Sequence, residues 1–147
     1  QATPHDYVKQ ILNLYLIEVF KCKEIVPGKY RLNIVVKNSN QMVAEQLAHE
    51  KYSITIRGEY SEKWDLTADY YVGFLRGMET FSQLFEKKNG TWVINGRPIF
   101  IDDSPNYLWR GLMIDTSRHF LSVQAIKHAI DGLLYNKMSI LHWHLID

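Results

Sequence analysis

The sequence predicts two parts. The first is an α+β domain over residues 1–102, with a mostly antiparallel sheet and helices. The second, over residues 106–147, is a parallel strand–helix–strand unit. Three observations carry this. Residues 30–67 contain alternating, β-branched stretches, and residues 69–86 then switch to helical spacing. The run Asp102-Asp103-Ser104-Pro105 interrupts both patterns and marks a boundary. Beyond it, a strand, a helix and a second strand follow in quick succession.

Element by element, Val8, Ile11, Leu12, Tyr15 and Val19 fall at helical spacing, so residues 6–21 are read as a helix, although the stretch LYLIEVF is also apolar enough for a buried strand. Pro27-Gly28 is a turn signal. Tyr30 to Val36 alternates and reads as a strand, broken by Asn38-Ser39-Asn40. Gln41 to His49 is a short helix or a loop. Tyr52 to Arg57 is a second strand, Gly58 to Lys63 a polar turn, and Trp64 to Thr67 a short third strand. Tyr71, Phe74, Leu75, Met78, Phe81 and Phe85 then form one helical stripe, with Asp69 as its expected N-cap. Gly73 and Gly77 each cost that helix about 1 kcal/mol against alanine. A close backbone approach to the sheet is the expected compensation, and Arg76 and Glu79 exclude a membrane-dimerisation stripe. Asn89-Gly90 and Asn95-Gly96 are both turn dipeptides. The stretch TWVI, Asn-Gly, RPIFI reads as a hairpin around the second of them.

After the boundary, Leu112 to Ser117 is a strand candidate. Ser122 is placed to cap a helix whose stripe is Val123, Ile126, Ile130, Leu133 and Leu134, closed by Tyr135-Asn136-Lys137. Ser139 to Ile146 is the second strand. Such a unit calls for parallel strands and a right-handed crossover. Two parallel strands leave both edges open, and a complete (β/α)₈ barrel takes about 250 residues. The expectation is one whole small domain plus the opening slice of a larger one.

Composition bounds the rest. Of 147 residues, 46% are hydrophobic and 22% charged, the profile of a chain that buries a core. A net charge of +1 without a basic cluster argues against nucleic acid or an anionic membrane as partner. No run approaches the roughly 18 apolar residues that span a bilayer. The start, QATPHDYVKQ, shows no charged region followed by an apolar one, so no signal peptide is read there. Cys22, the single cysteine, is either a small buried hydrophobe or has its disulfide partner outside these residues. Asn89-Gly90-Thr91 matches the N-glycosylation acceptor pattern, which matters only on an exported protein.

Chemistry in parallel α/β folds gathers at the carboxyl ends of strands. That singles out Arg118 and His119 after the first strand, and His144 and Asp147 at the end of the second. Arg118 offers a planar fork of donors suited to a carboxylate or to two adjacent hydroxyls. Asp147 offers an acceptor, and the two could equally pair with each other. His142 and His144 share one strand face, a spacing that suits zinc, or two buried histidines satisfied by hydrogen bonds; an unbent strand would turn both away from the face of Asp147. Trp143, Tyr107 and Trp109 are candidates for stacking on a sugar ring, or for core or interface packing.

Three segments taken together are specific: Arg110-Gly111-Leu112-Met113-Ile114-Asp115-Thr116-Ser117-Arg118-His119, then Tyr135-Asn136-Lys137-Met138, then His142-Trp143-His144-Leu145-Ile146-Asp147. In this order and spacing the chain resembles the β-N-acetylhexosaminidases of glycoside hydrolase family 20. KYSITI at 51–56 and GFLRGMETFSQL at 73–84 resemble the end of that family's small N-terminal domain, whereas the first 50 residues diverge. The resemblance implies a small α+β domain on a (β/α)₈ barrel. It implies release of terminal β-linked N-acetylglucosamine or N-acetylgalactosamine with retention, through substrate-assisted catalysis. It also implies roles for single residues. Arg118 matches the arginine that binds the hydroxyls on carbons 3 and 4 of the terminal sugar. Asp147 matches an aspartate linked through a later histidine to the acid glutamate, and His144 matches a supporting position. His119 and Asp115 match positions assigned to packing and hydrogen bonding. The catalytic Asp-Glu pair of the family is absent, since no Asp-Glu dipeptide occurs here. These 147 residues alone are therefore expected to be inactive.

The partners implied are the terminal N-acetylhexosamine of glycans, glycoconjugates or chitin oligomers, and the remainder of the barrel. A homodimer is compatible with this. No cofactor and no metal is implied, and the location implied is lysosomal or secreted. Two other readings stand beside this one. They are a metal-dependent barrel hydrolase using His142 and His144, and a non-catalytic carbohydrate-binding relative.

Overall fold

The computed structural model describes residues 4–21, 29–38, 49–58 and 61–146. Cys22, the Pro27-Gly28 turn, most of the 41–49 segment and Asp147 lie outside the described residues. The chain divides into two compact units, 1–105 and 106–147.

The first unit opens with helix α1 (Pro4–Asn13), continued by a π-helical segment, Leu14–Val19. Strands β1 (Arg31–Val36), β2 (Tyr52–Ile56), β3 (Lys63–Ala68) and β6 (Ile99–Asp103) form one sheet in the order β1-β3-β2-β6. β1 runs parallel to β3, whereas the β3–β2 and β2–β6 pairs are antiparallel. The sheet is thus mostly antiparallel, with one parallel pair that local alternation could not reveal.

Alternation gives that sheet its core face. Tyr52, Ile54 and Ile56 of β2 and Trp64, Leu66 and Ala68 of β3 are buried. They meet Tyr71, Phe74, Met78 and Phe81 of helix α2 (Tyr71–Gln83), and Tyr15. The glycine expectation holds: a Cβ at Gly77 would lie 3.2 Å from the Leu66 side chain and the Tyr52 ring, and one at Gly73 would strike the Lys51 carbonyl. The charges on α2 are satisfied rather than solvated. Arg76 Nε donates to Glu50 Oε2 at 3.2 Å, and Glu79 accepts from Tyr15 Oη and Gln83 Nε2, each at 2.9 Å. Buried charge needs such partners to offset desolvation. Tyr52 Oη donates to Asp103 Oδ2 at 2.5 Å and meets Thr80 Oγ1 at 2.6 Å; burial first, then the aspartate, pushes the phenol's pKa up.

Three expectations are corrected. Asp69 does not cap α2. The cap position is Tyr70, with extended backbone and no side-chain cap bond, and the Asp69 carboxylate lies 2.7 Å from Lys37 Nζ. Phe85 is not helical. It begins strand β4 (Phe85–Lys88) and reaches an aromatic cluster from there, 5.0 Å from the Phe20 ring and 5.2 Å from Phe81. The hairpin is closed by Asn89-Gly90, not Asn95-Gly96. β5 (Thr91–Ile94) pairs with β4, while β6 leaves to pair with β2. Asn89 and Gly90 both have positive φ, 49° and 83°, as a two-residue primed turn requires. β6 departs because Ile99 and Ile101 join the core of the larger sheet.

The second unit is strand β7 (Gly111–Asp115), helix α3 (Val123–Tyr135) and strand β8 (Ile140–His144), with β7 and β8 parallel. Ser122 caps α3 as expected, its Oγ accepting from Ala125 N at 3.2 Å. Only Ile126 and Leu133 of the helical stripe are buried, because two strands offer a narrow surface; Val123 is 70% exposed. No described helix is long and apolar enough to cross a membrane.

Candidate functional site

The register of β7 and β8 sets Asp115 opposite His144, so their carboxyl ends lie side by side. The other end is fixed by Arg110. Its Nε and Nη2 donate to the Lys137 carbonyl at 3.1 and 2.8 Å, and its Nη1 donates to the Tyr107 carbonyl at 2.6 Å. Lys137 has φ of 53°, which turns the chain from α3 into β8. A structural reason thus joins two of the sequence segments: the arginine before β7 holds the turn that starts β8.

At the carboxyl end, the chain leaves β7 through a tight turn organised by Asp115. Its Oδ1 accepts from Ser117 N at 2.9 Å, Ser117 Oγ at 2.8 Å and Arg118 N at 3.1 Å. The Ser117 hydroxyl lowers the Asp115 pKa most; desolvation opposes it, and the Arg118 and Ser117 backbone N–H groups and then His144 lower it further. Arg118 leaves this turn with its side chain 68% exposed and its Nε 4.0 Å from Asp115 Oδ2. An ion pair so long and so exposed contributes little stability. What the turn provides is a fixed backbone origin for the guanidinium.

Thr116 ties the turn to β8. Its N–H donates to the His144 carbonyl at 3.0 Å, its hydroxyl donates to the same oxygen at 3.3 Å, and Trp143 Nε1 donates to Thr116 Oγ1 at 3.0 Å. The structure therefore brings Arg118, Asp115 and His144 to one end of the unit. Asp147 falls outside the described residues, so the Arg118–Asp147 juxtaposition is not observed. His142 sits one pair earlier, opposite Met113. Among the described residues no three metal-binding side chains converge, so the two histidines gather no third ligand. Tyr107 and Trp109 are exposed, and Trp143 is partly so. Asn89 is in the turn of the first unit's β4–β5 hairpin. Sequence reasoning missed the parts played by Thr116, Ser117 and the Trp143 ring nitrogen. The signal available was a run of small hydroxyl residues directly after a strand.

Unit 2 defines a class: parallel α/β, in which ligands and chemistry collect at strand carboxyl ends. The comparisons with known proteins narrow this to a family. A family model described as β-acetyl hexosaminidase like matches residues 8–84, and one described as glycosyl hydrolase family 20, catalytic domain, matches residues 107–147. β-Hexosaminidase subunit B1 of Dictyostelium discoideum is 39% identical over 120 residues, covering 80% of this chain and 21% of that protein. β-Hexosaminidase subunit beta of Homo sapiens is 47% identical over 83 residues, covering 56% of this chain and 15% of that protein. Among solved structures, the Streptomyces plicatus N-acetyl-β-hexosaminidase in complex with thio-NAglucal superposes with a TM-score of 0.71 at 25% identity, over 99% of this chain and 29% of that one. The Streptomyces coelicolor β-N-acetylhexosaminidase gives 0.69 at 26%, over 98% and 29%. The chain belongs to the β-N-acetylhexosaminidases of glycoside hydrolase family 20. It spans about one fifth of the length of the first of these relatives.

Proposed function

We propose that this chain is the N-terminal part of an exo-β-N-acetylhexosaminidase that releases terminal β-linked N-acetylglucosamine or N-acetylgalactosamine with retention. In this reading residues 1–102 are the small domain, and residues 106–147 are the start of the (β/α)₈ barrel. The observation that carries it is the ordered carboxyl end of β7 and β8, where Arg118 leaves a turn fixed by Asp115 and Thr116. The family match supplies the substrate class. The unburied apolar side chains of unit 2, among them Met113, Val123 and Ile130, are those that further strands and helices of a barrel would cover.

Arg118 donates its fork to the neighbouring hydroxyls on carbons 3 and 4 of the terminal sugar, a geometry lysine lacks. Asp147, acting through a histidine elsewhere in the enzyme, keeps the acid glutamate protonated, because a nearby negative charge raises a carboxyl pKa. His144 supports the site through its carbonyl, which holds Thr116. The acid and the residue that orients the acetamido group come from outside these 147 residues. The attack on the anomeric carbon is made by the substrate's own acetamido oxygen. Full-length protein is expected to turn over an aryl N-acetyl-β-glucosaminide, and Arg118→Ala to cut kcat/KM severely. Undiminished kinetics in that variant would remove Arg118 from the site.

The same reading places the protein in a lysosome or outside the cell, and there Asn89 carries an N-linked glycan. Asn89 and Thr91 are both exposed at the tip of the β4–β5 hairpin, which leaves room for the sugar. Thr91→Ala keeps the Asn-Gly turn and deletes the acceptor pattern, so it is expected to abolish a glycan detected on the peptide containing Asn89. Protein from its own source with a bare Asn89 would contradict this.

A further inference from the structure

We propose that Thr116 is a positioning residue for Arg118, acting as a latch between the two strand ends. This rests on the hexosaminidase reading and deepens it. A threonine hydroxyl has one proton to give and two lone pairs to receive. At Thr116 the proton goes to the His144 carbonyl, and the lone pairs face the Trp143 ring N–H at 3.0 Å. With its own backbone N–H on the same carbonyl at 3.0 Å, Thr116 is bonded three times to two consecutive residues of β8. Arg118 begins two residues later, with its N–H on Asp115 Oδ1. The turn from which the arginine projects is thus tied through Thr116 and Asp115.

An exposed arginine loses considerable rotamer freedom when it clamps a sugar, so a fixed origin matters to binding. Without the hydroxyl, Trp143 Nε1 loses its acceptor and the turn loses one tie to β8. The backbone bond from Thr116 N to His144 O remains, so the fold should survive while the aim of Arg118 loosens.

The test is a set of variants in the full-length enzyme, assayed on an aryl N-acetyl-β-glucosaminide. Thr116→Val, which keeps the shape and deletes the hydroxyl, is expected to lower kcat/KM about tenfold, mainly through KM, in line with the loss of one hydrogen bond. Thr116→Ser is expected to restore most of it. In an Arg118→Ala background, Thr116→Val should add little, since both changes remove one interaction. The Trp143 indole proton resonance should move in Thr116→Val and stay in Thr116→Ser. Unchanged kinetics in Thr116→Val, full additivity with Arg118→Ala, or an unmoved indole resonance each overturn the latch. An indole shift that follows the hydroxyl in a protein without turnover instead contradicts the hexosaminidase reading, and with it the role assigned to Arg118.

Discussion

At the residue scale, the proposed function divides the labour between Arg118, whose charge would meet substrate, and Asp115, which holds the turn that Arg118 leaves. Arg118 was singled out in the sequence because it directly follows the stretch 112–117 read as a strand; the observed strand ends three residues before Arg118, at Asp115. Its removal is expected to cost about 2–3 kcal/mol of transition-state stabilisation, the range of hydrogen bonds to charged groups. Asp115 was legible only as a hydrogen-bonding position, since its contacts depend on a side-chain rotamer that spacing does not report. Its carboxylate is stabilised in the fold, so its pKa lies below the unfolded value of about 3.9. The stabilising contribution is fully present above the unfolded pKa and is lost as pH falls through the lower, folded one. The Ser117 and Arg118 amide resonances should therefore hold steady from neutral pH down to about pH 4 and shift only below it. Asp115→Asn should flatten that titration while keeping the turn, because an amide oxygen still accepts. A midpoint well above pH 4 would contradict the assignment.

At the element scale, periodicity located the helices and strands, and long-range pairing decided what periodicity could not. Two Asn-Gly pairs flank β5, and locally either could close a hairpin. The choice fell to Asn89-Gly90 because Ile99 and Ile101, partly buried, pack against the core of the larger sheet, which draws β6 to β2. The parallel β1–β3 pair was hidden for the same reason. Two helical glycines with different surroundings give a test with opposite signs. Alanine gains about 1 kcal/mol of helix propensity over glycine wherever nothing is in its way. Gly132 in α3 has nothing within 4 Å of an added Cβ, so Gly132→Ala should stabilise. At Gly73 the Cβ meets the Lys51 backbone carbonyl, which cannot swing aside as a side chain can. Overpacking of about 1–3 kcal/mol then outweighs the propensity gain, and Gly73→Ala should destabilise. Urea unfolding of both variants checks this. Equal signs would mean that the helix–sheet approach is looser than described.

At the scale of the whole molecule, the two units differ in how completely they bury their apolar faces. The first closes a core around Phe74, Ile54 and Leu66, each fully buried. The second leaves Trp109 72% and Ile146 81% exposed, the one before β7 and the other after β8. That contrast was partly legible, since one strand–helix–strand segment has too few strands to cover its helix. What Asp147 touches was not legible, and it lies outside the described residues. In the proposed function, the strand-end arginine serves an enzyme whose nucleophile is the substrate's own acetamido group. The most direct measurement compares turnover by the full-length protein of two matched aryl β-glycosides, one with 2-acetamido and one with 2-hydroxyl. Hydrolysis of the acetamido sugar and essentially none of the hydroxyl sugar is expected. Comparable hydrolysis of both, or none of the acetamido sugar, would contradict it.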